Sequence, residues 1–256
     1  MTVQDIFALV DKAAPFDDQA EFDNAGFLVG QAGQEVSRIL LALDVTEPVI
    51  DEAVSLGAQL IITHHPLMFV PRKSMTDEDY EGRLLCRLVR NGISLIAAHT
   101  NLDKAPGGIN DVLAERCGLL EITGEGFLRF GSLPAPVTAS SYASELSHRL
   151  GDAVRLMGPA DAVLRRVALC SGGGSNEWPA AAAAGCDAFI SGEIKHHHAL
   201  AMADRGIVAL ECGHYATEAP GIAALGAALQ KQFDTLQCKI RIYASGIPAY
   251  SFSRHP

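Results

Sequence analysis

The sequence predicts an α/β protein of two domains, each with a mostly parallel sheet covered by helices. Two observations carry this expectation. Short apolar runs of strand length alternate with amphipathic segments of helical length, the rhythm of parallel strands joined by crossover helices. Three of those runs end at a histidine with an acid close behind, and open α/β sheets gather their ligands outside the carboxyl ends of strands.

The elements follow in order. Thr2 caps a first helix with Asp5 at the capping-box position; Ile6, Phe7 and Val10 share one face and Pro15 stops it. Residues 38–43 read as a strand ending at Asp44. Thr46 then caps a helix carrying Pro48 in its first turn and closed by Gly57, and residues 59–63 make the next strand. This is a βαβ unit. A polar segment over residues 71–79 precedes a helix through Leu84, Leu85, Leu88 and Val89, closed by Gly92, and a strand follows into His99. Gly107-Gly108 opens a further helix through Ile109, Val112 and Leu113.

Glycines and prolines over residues 121–136 mark the expected boundary, giving domains 1–125 and 126–256. The second half should hold strands at 166–170, 188–191, 207–210 and 239–243, and helices near 139–150, 177–184, 195–204 and 217–233. Whether the last strand returns to the first sheet is left open by the sequence.

Composition excludes several classes. The chain has 256 residues, 48% hydrophobic and 20% charged, which supports a sizeable core. A net charge of −10 opposes binding to nucleic-acid phosphates, which needs Lys and Arg. No stretch approaches the roughly 18 apolar residues of a membrane span, and Met1-Thr2-Val3-Gln4-Asp5 is no secretory signal, so a cytoplasmic protein is expected. The six cysteines show no C-x-x-C spacing and read as reduced core residues.

Thr63-His64-His65-Pro66 places two imidazoles where an apolar strand ends. Adjacent side chains of a strand face opposite ways, so the pair serves one ion only if the chain turns between them, or else one ion each; Pro66 ends the strand. His99-Thr100-Asn101-Leu102-Asp103 and Glu211-Cys212-Gly213-His214, leading to Glu218, are the other two clusters. Imidazole mixed with carboxylate suits divalent Zn, Mn, Fe or Ni better than Mg or Ca.

Two other motifs are weaker. Ser171-Gly172-Gly173-Gly174-Ser175 joins a strand to a helix, equally an anion-facing loop or a tight connection. His196, His197 and His198 would splay around a helix, so at most one of them faces a site, and Glu193 and His197 share a face for an outer-shell role if that helix starts early enough.

Several of these residues together resemble a known family. Phe22-Asp23-Asn24-Ala25-Gly26-Phe27-Leu28-Val29-Gly30, Ala42-Leu43-Asp44-Val45-Thr46, Thr63 to Pro66 with Leu67 and Phe69, His99 to Asp103, Gly107-Gly108-Ile109-Asn110-Asp111 and Gly213-His214-Tyr215-Ala216-Thr217-Glu218 look like the Nif-three-like, or YbgI-type, proteins labelled GTP cyclohydrolase I type 2 homologues. The resemblance runs from near the amino terminus to beyond Glu218. It implies the Nif-three-like fold with metals in a cleft between two α/β domains, and a dinuclear centre of two divalent ions held by His64, His65, Asp103, His214 and Glu218, with His99 beside it. It also implies a homohexameric toroid, and the length leaves no room for the inserted domain some relatives carry. Gln59 and Glu193 depart from the residues common at those positions in relatives.

Two such ions, bridged by Asp103 or Glu218, would hold a hydroxide at neutral pH and favour hydrolysis. Glu218 and His99 are then the expected catalytic residues. The family label names GTP, with attack at C8 and His99 moving protons, so a small molecule such as a nucleotide is the expected substrate. The alternatives are a two-metal phosphohydrolase or nuclease, and a non-catalytic metal-binding ring acting through protein partners.

Overall fold

The structure is a computed structural model and describes residues 1–248. Two compact units emerge: Met1–Ala105 with the chain from Ile222 onward, and Pro106–Gly221. The expected domains 1–125 and 126–256 are drawn differently, for reasons visible in the strand pairing.

The first unit holds a five-stranded sheet in the order Gly26–Val29, Ser94–Ala97, Leu60–Thr63, Arg38–Ala42, Arg241–Ala244. Only the Gly26–Val29 edge is antiparallel. The C-terminal strand therefore does return to the first sheet, pairing Arg241 with Arg38, and this draws residues beyond Ile222 into the first unit. Leu60–Thr63 and Ser94–Ala97 are buried at every position, as strands covered on both faces must be. The row Leu40, Ile61, Leu95 runs straight across three strands and packs with Val49, Ile50 and Ala53 of the helix Glu47–Leu56 and Leu84, Leu85 and Leu88 of the helix Tyr80–Arg90.

Those helices start where the side chains can cap them. The hydroxyl of Thr46 accepts from Val49 N and the carboxylate of Asp79 from Gly82 N. Gly57 ends the first of them at φ 62°, where a side chain would be strained. The helix Val3–Ala13 has the full capping box expected of Thr2 and Asp5.

Register decides where the chemistry lies. Ala42, Thr63 and Ala97 are neighbours across three parallel strands, so these strands release Asp44, His64-His65 and His99 at one edge of the sheet.

The second unit holds a six-stranded sheet in the order Leu120–Thr123, Arg129–Thr138, Val163–Cys170, Ala188–Ser191, Val208–Glu211, Arg155–Met157. Its middle three strands are parallel and its outer pairings antiparallel. Leu169, Ile190 and Leu210 form one row against Tyr142 and Leu146, while Phe189 and Ala209 on the opposite face pack with Met202.

Residues expected to form a boundary loop are instead strands. Leu120–Thr123 pairs with Arg129–Thr138, which ties residues 106–125 to the second unit. Pro134 and Pro136 disguised the longer strand: they cannot donate to a ladder, and the pairing skips from Ser132 to Val137 around them. Among the described residues no helix is long and apolar enough to cross a membrane.

Cys117, Cys170, Cys186 and Cys212 are buried, whereas Cys86 and Cys238 are partly exposed. Burial pushes the Cys117 thiol up to about 12 and raises Cys212 and Cys186 as well. In the native protein iodoacetamide should therefore modify Cys86 and Cys238 first and reach the other four only after denaturation; mass spectrometry of the labelled peptides reads this.

Candidate metal centre

In the first unit the strand ends at Thr63, and the turn that the two histidines need is present. Thr63 Oγ1 donates to the His65 carbonyl at 2.9 Å, and His65 N donates to the Leu43 carbonyl at 3.0 Å. The ring centroids of His64 and His65 lie 4.9 Å apart, those of His64 and His99 5.0 Å, and those of His65 and His99 5.5 Å. One ring nitrogen from each of the three lies within 4.8 Å of the other two.

Each imidazole is held through the same atom. His64, fully buried, donates from Nδ1 to the Ala98 carbonyl at 2.9 Å. His65 Nδ1 donates to Asp44 Oδ1 at 2.7 Å, and His99 Nδ1 to Asp23 Oδ1 at 2.8 Å. Carbonyl and carboxylate oxygens only accept, so Nδ1 carries the proton and a neutral ring keeps its lone pair on Nε2. Burial alone would raise the Asp23 carboxyl, but hydrogen bonds from His99 and Thr100 outweigh it and hold the group well below the usual carboxylate range. Asp23 is thus a fixed anion.

Asp103 comes from the short helix Thr100–Lys104 that follows His99 directly. It is 8% exposed, with Oδ1 3.6 Å from His64 Nε2. The expected first-unit ligands His64, His65 and Asp103 are accordingly near one another, and His99 is a full member of their cluster.

In the second unit His214 begins the helix His214–Thr235, three residues before the expected start. That places His214 and Glu218 four apart on one helical face. His214 Nε2 lies 3.1 Å from Glu218 Oε2, and Nδ1 lies 2.9 Å from Glu193 Oε1. Glu218 is only 4% exposed.

The glycine-rich loop supports this pair. Gly172 N donates to Thr217 Oγ1 at 3.1 Å, and the Gly172 carbonyl accepts from Glu193 N at 2.8 Å. A Cβ on Gly172 would stand 1.9 Å from Glu218 Oε1 and 3.1 Å from His214 Nε2, and its φ is +51°. The loop's glycine is required for its close approach to the carboxylate, whatever else the loop does.

Imidazoles anchored at Nδ1 beside acidic oxygens are the donor set of divalent first-row ions, and outer partners of this kind orient metal-bound histidines. The residues present fit a metal.

Comparison with known proteins gives the chain a family. The family profile of Duf34/NIF3 (NGG1p interacting factor 3) matches residues 1–248. The chain belongs to the Duf34/NIF3 family. It is 32% identical over 245 residues to a Clostridium perfringens protein called GTP cyclohydrolase 1 type 2 homolog, covering 92% of this chain and 94% of that one. It is 31% identical to the protein of the same name from Streptomyces coelicolor, covering 95% and 90%. Among solved structures, Staphylococcus aureus protein SA1388 superposes with a TM-score of 0.94 at 27% identity, covering 100% of this chain and 99% of that one.

The Duf34/NIF3 chain also shows what its sequence left unassigned. Asp44 and Asp23 anchor two histidines, and the available signal was position, since each carboxylate lies within a motif already singled out. Glu193 serves His214 and not His197: the helix His196–Asp204 begins after Glu193, so the two share no helical face. His197 and His198 instead pair their rings at 4.2 Å, and His198 Nδ1 meets Ser175 Oγ at 3.1 Å.

Outer partners carry a measurable share of affinity. Asp44→Asn should retain the fold by circular dichroism yet bind metal on the order of 10–100-fold more weakly in chelator competition, because the amide is a poorer acceptor for His65 Nδ1–H.

Proposed function

We propose that this Duf34/NIF3 protein binds two divalent metal ions through His64, His65, Asp103, His214 and Glu218, and that it is a metal-dependent hydrolase of a small, nucleotide-like molecule. The observation that carries this reading is the common anchoring of His64, His65, His99 and His214 through Nδ1. In all four the anchor is a carbonyl or carboxylate oxygen, the kind of partner that orients metal-bound histidines.

Bound divalent ions would supply Lewis acidity and lower the pKa of water towards neutrality. The chain's own residues do the rest. His64, His65 and His214 hold Nε2 in place, Asp103 and Glu218 add negative charge, and His99, kept as the Nδ1–H tautomer by Asp23, is placed to accept and return a proton at Nε2. The name carried by the Clostridium perfringens and Streptomyces coelicolor relatives makes GTP the first substrate to test. A homohexamer working in the cytoplasm belongs to the same proposal, with the acidic net charge favouring a small substrate over a long nucleic acid.

The test is product analysis after incubating GTP with protein loaded with Mn, Fe, Ni or Zn. Formate and a ring-opened guanine product, lost in Glu218→Gln, support the cyclohydrolase reading. Phosphate release would move the reaction to a phosphohydrolase. No turnover from fully metal-loaded protein would contradict hydrolysis of GTP and favour a ring acting through protein partners.

A further inference from the structure

Beside the histidine cluster stand two phenyl rings that the fold does not bury. Phe22 is 67% exposed and Phe69 44%, their centroids 6.3 Å apart and their planes inclined by 53°. Phe69 in turn meets His99 at 6.1 Å, edge to face at 82°. Leaving a large apolar side chain in water forgoes a substantial part of the folding free energy that burial supplies. Scattered exposed apolar residues are ordinary, but an adjacent pair of rings, one of them edge to face with a candidate catalytic histidine, is a patch of a different kind.

The segments that carry the rings are tied to their surroundings by hydrogen bonds. Ala20 N donates to Thr100 Oγ1 at 2.8 Å and Asp23 N to the Ala20 carbonyl at 2.9 Å, fixing the turn that carries Phe22. Asn24 Nδ2 donates to the Met68 carbonyl at 2.5 Å, tying that turn to the residue preceding Phe69. Asp23, which lies between Phe22 and Asn24, is the same carboxylate that anchors His99. One short segment therefore positions both a phenyl ring and the imidazole beside it.

We propose that Phe22 and Phe69 form a stacking platform for a planar aromatic ring of the substrate, a heterocycle such as a nucleobase. The proposal rests on the reading of the histidine cluster as the reactive site, and it names what that site recognises. An aromatic face gives affinity to any flat unsaturated ring without reading its edges, so the platform selects a class of ligand rather than one base. A ring stacked there lies beside the His99 imidazole, whose Nδ1 Asp23 holds. Phosphoesters with no ring would gain nothing from the platform.

The experiment measures binding, independent of turnover. Guanosine, adenosine, cytidine and ribose 5-phosphate are titrated into the full chain by calorimetry and ligand-observed NMR, for the wild type and for Phe22→Ala, Phe69→Ala and Phe69→Trp. The nucleosides should bind more tightly than ribose 5-phosphate. Each alanine variant should weaken them by tenfold or more, within the range that loss of a stacked base produces, and Phe69→Trp should retain binding. Metal content, measured alongside, should not change, and sedimentation should show unaltered assembly. Absence of nucleoside binding in the wild type, or unchanged binding in the alanine variants, overturns the platform. So does a change of oligomeric state with binding intact, which would assign the rings to a subunit contact. Nucleoside binding by protein that retains no metal would uphold the platform while refuting the hydrolase reading on which its catalytic meaning rests.

Discussion

Gly172→Ala is expected to strip the protein of metal while leaving most of its fold standing. The added Cβ would sit 1.9 Å from Glu218 Oε1 and 2.9 Å from Glu218 Cδ, so the carboxylate must move. Glu218 is buried, which restricts the move, and any displacement takes its Oε2 away from the 3.1 Å approach to His214 Nε2. Alanine at positive φ costs a further ~1–3 kcal/mol. For a chain of this size, each kcal/mol lowers Tm by roughly 2–4 °C. Loss of metal affinity by two orders of magnitude or more, with Tm lower by only several degrees, is therefore the predicted outcome of chelator competition and calorimetry. Unchanged affinity would show that the close approach of the loop has no part in ligation.

Glu218→Gln should have the other large effect. The substitution keeps the shape of the side chain, so the helix His214–Thr235 and its neighbours have no reason to repack. It removes the negative charge paired with His214 and exchanges an oxygen donor for an amide. Turnover should fall to background and one ion should be lost or bound at least on the order of 100-fold more weakly, with circular dichroism unaltered. Wild-type metal binding in this variant would remove Glu218 from the ligand set.

Much of this was legible in the sequence because strand, turn and cap each leave a local mark. Thr2, Thr46 and Gly57 announce helix ends whose geometry the structure reproduces, and buried parallel strands are continuous apolar runs at residues 60–63 and 94–97. The strand-terminal histidines were equally visible, since register across parallel strands must bring their ends to one edge.

What escaped depends on contacts far apart in the chain. Asp23 lies 76 residues from His99, and no periodicity joins them. Gly172 is constrained by a carboxylate 46 residues later, which a glycine-rich string does not reveal. Pro134 and Pro136 concealed a strand because a pairing interruption looks like a loop when read one residue at a time. Those prolines also explain why the expected boundary fell inside the second unit.

The most direct measurement is the metal content of the purified protein after loading with Mn, Fe, Ni or Zn and exhaustive dialysis, with His64→Ala treated identically. The expectation is two divalent ions per chain in the wild type and a loss of at least one in the variant. A wild-type protein that retains none of these metals, with its fold intact, would contradict it.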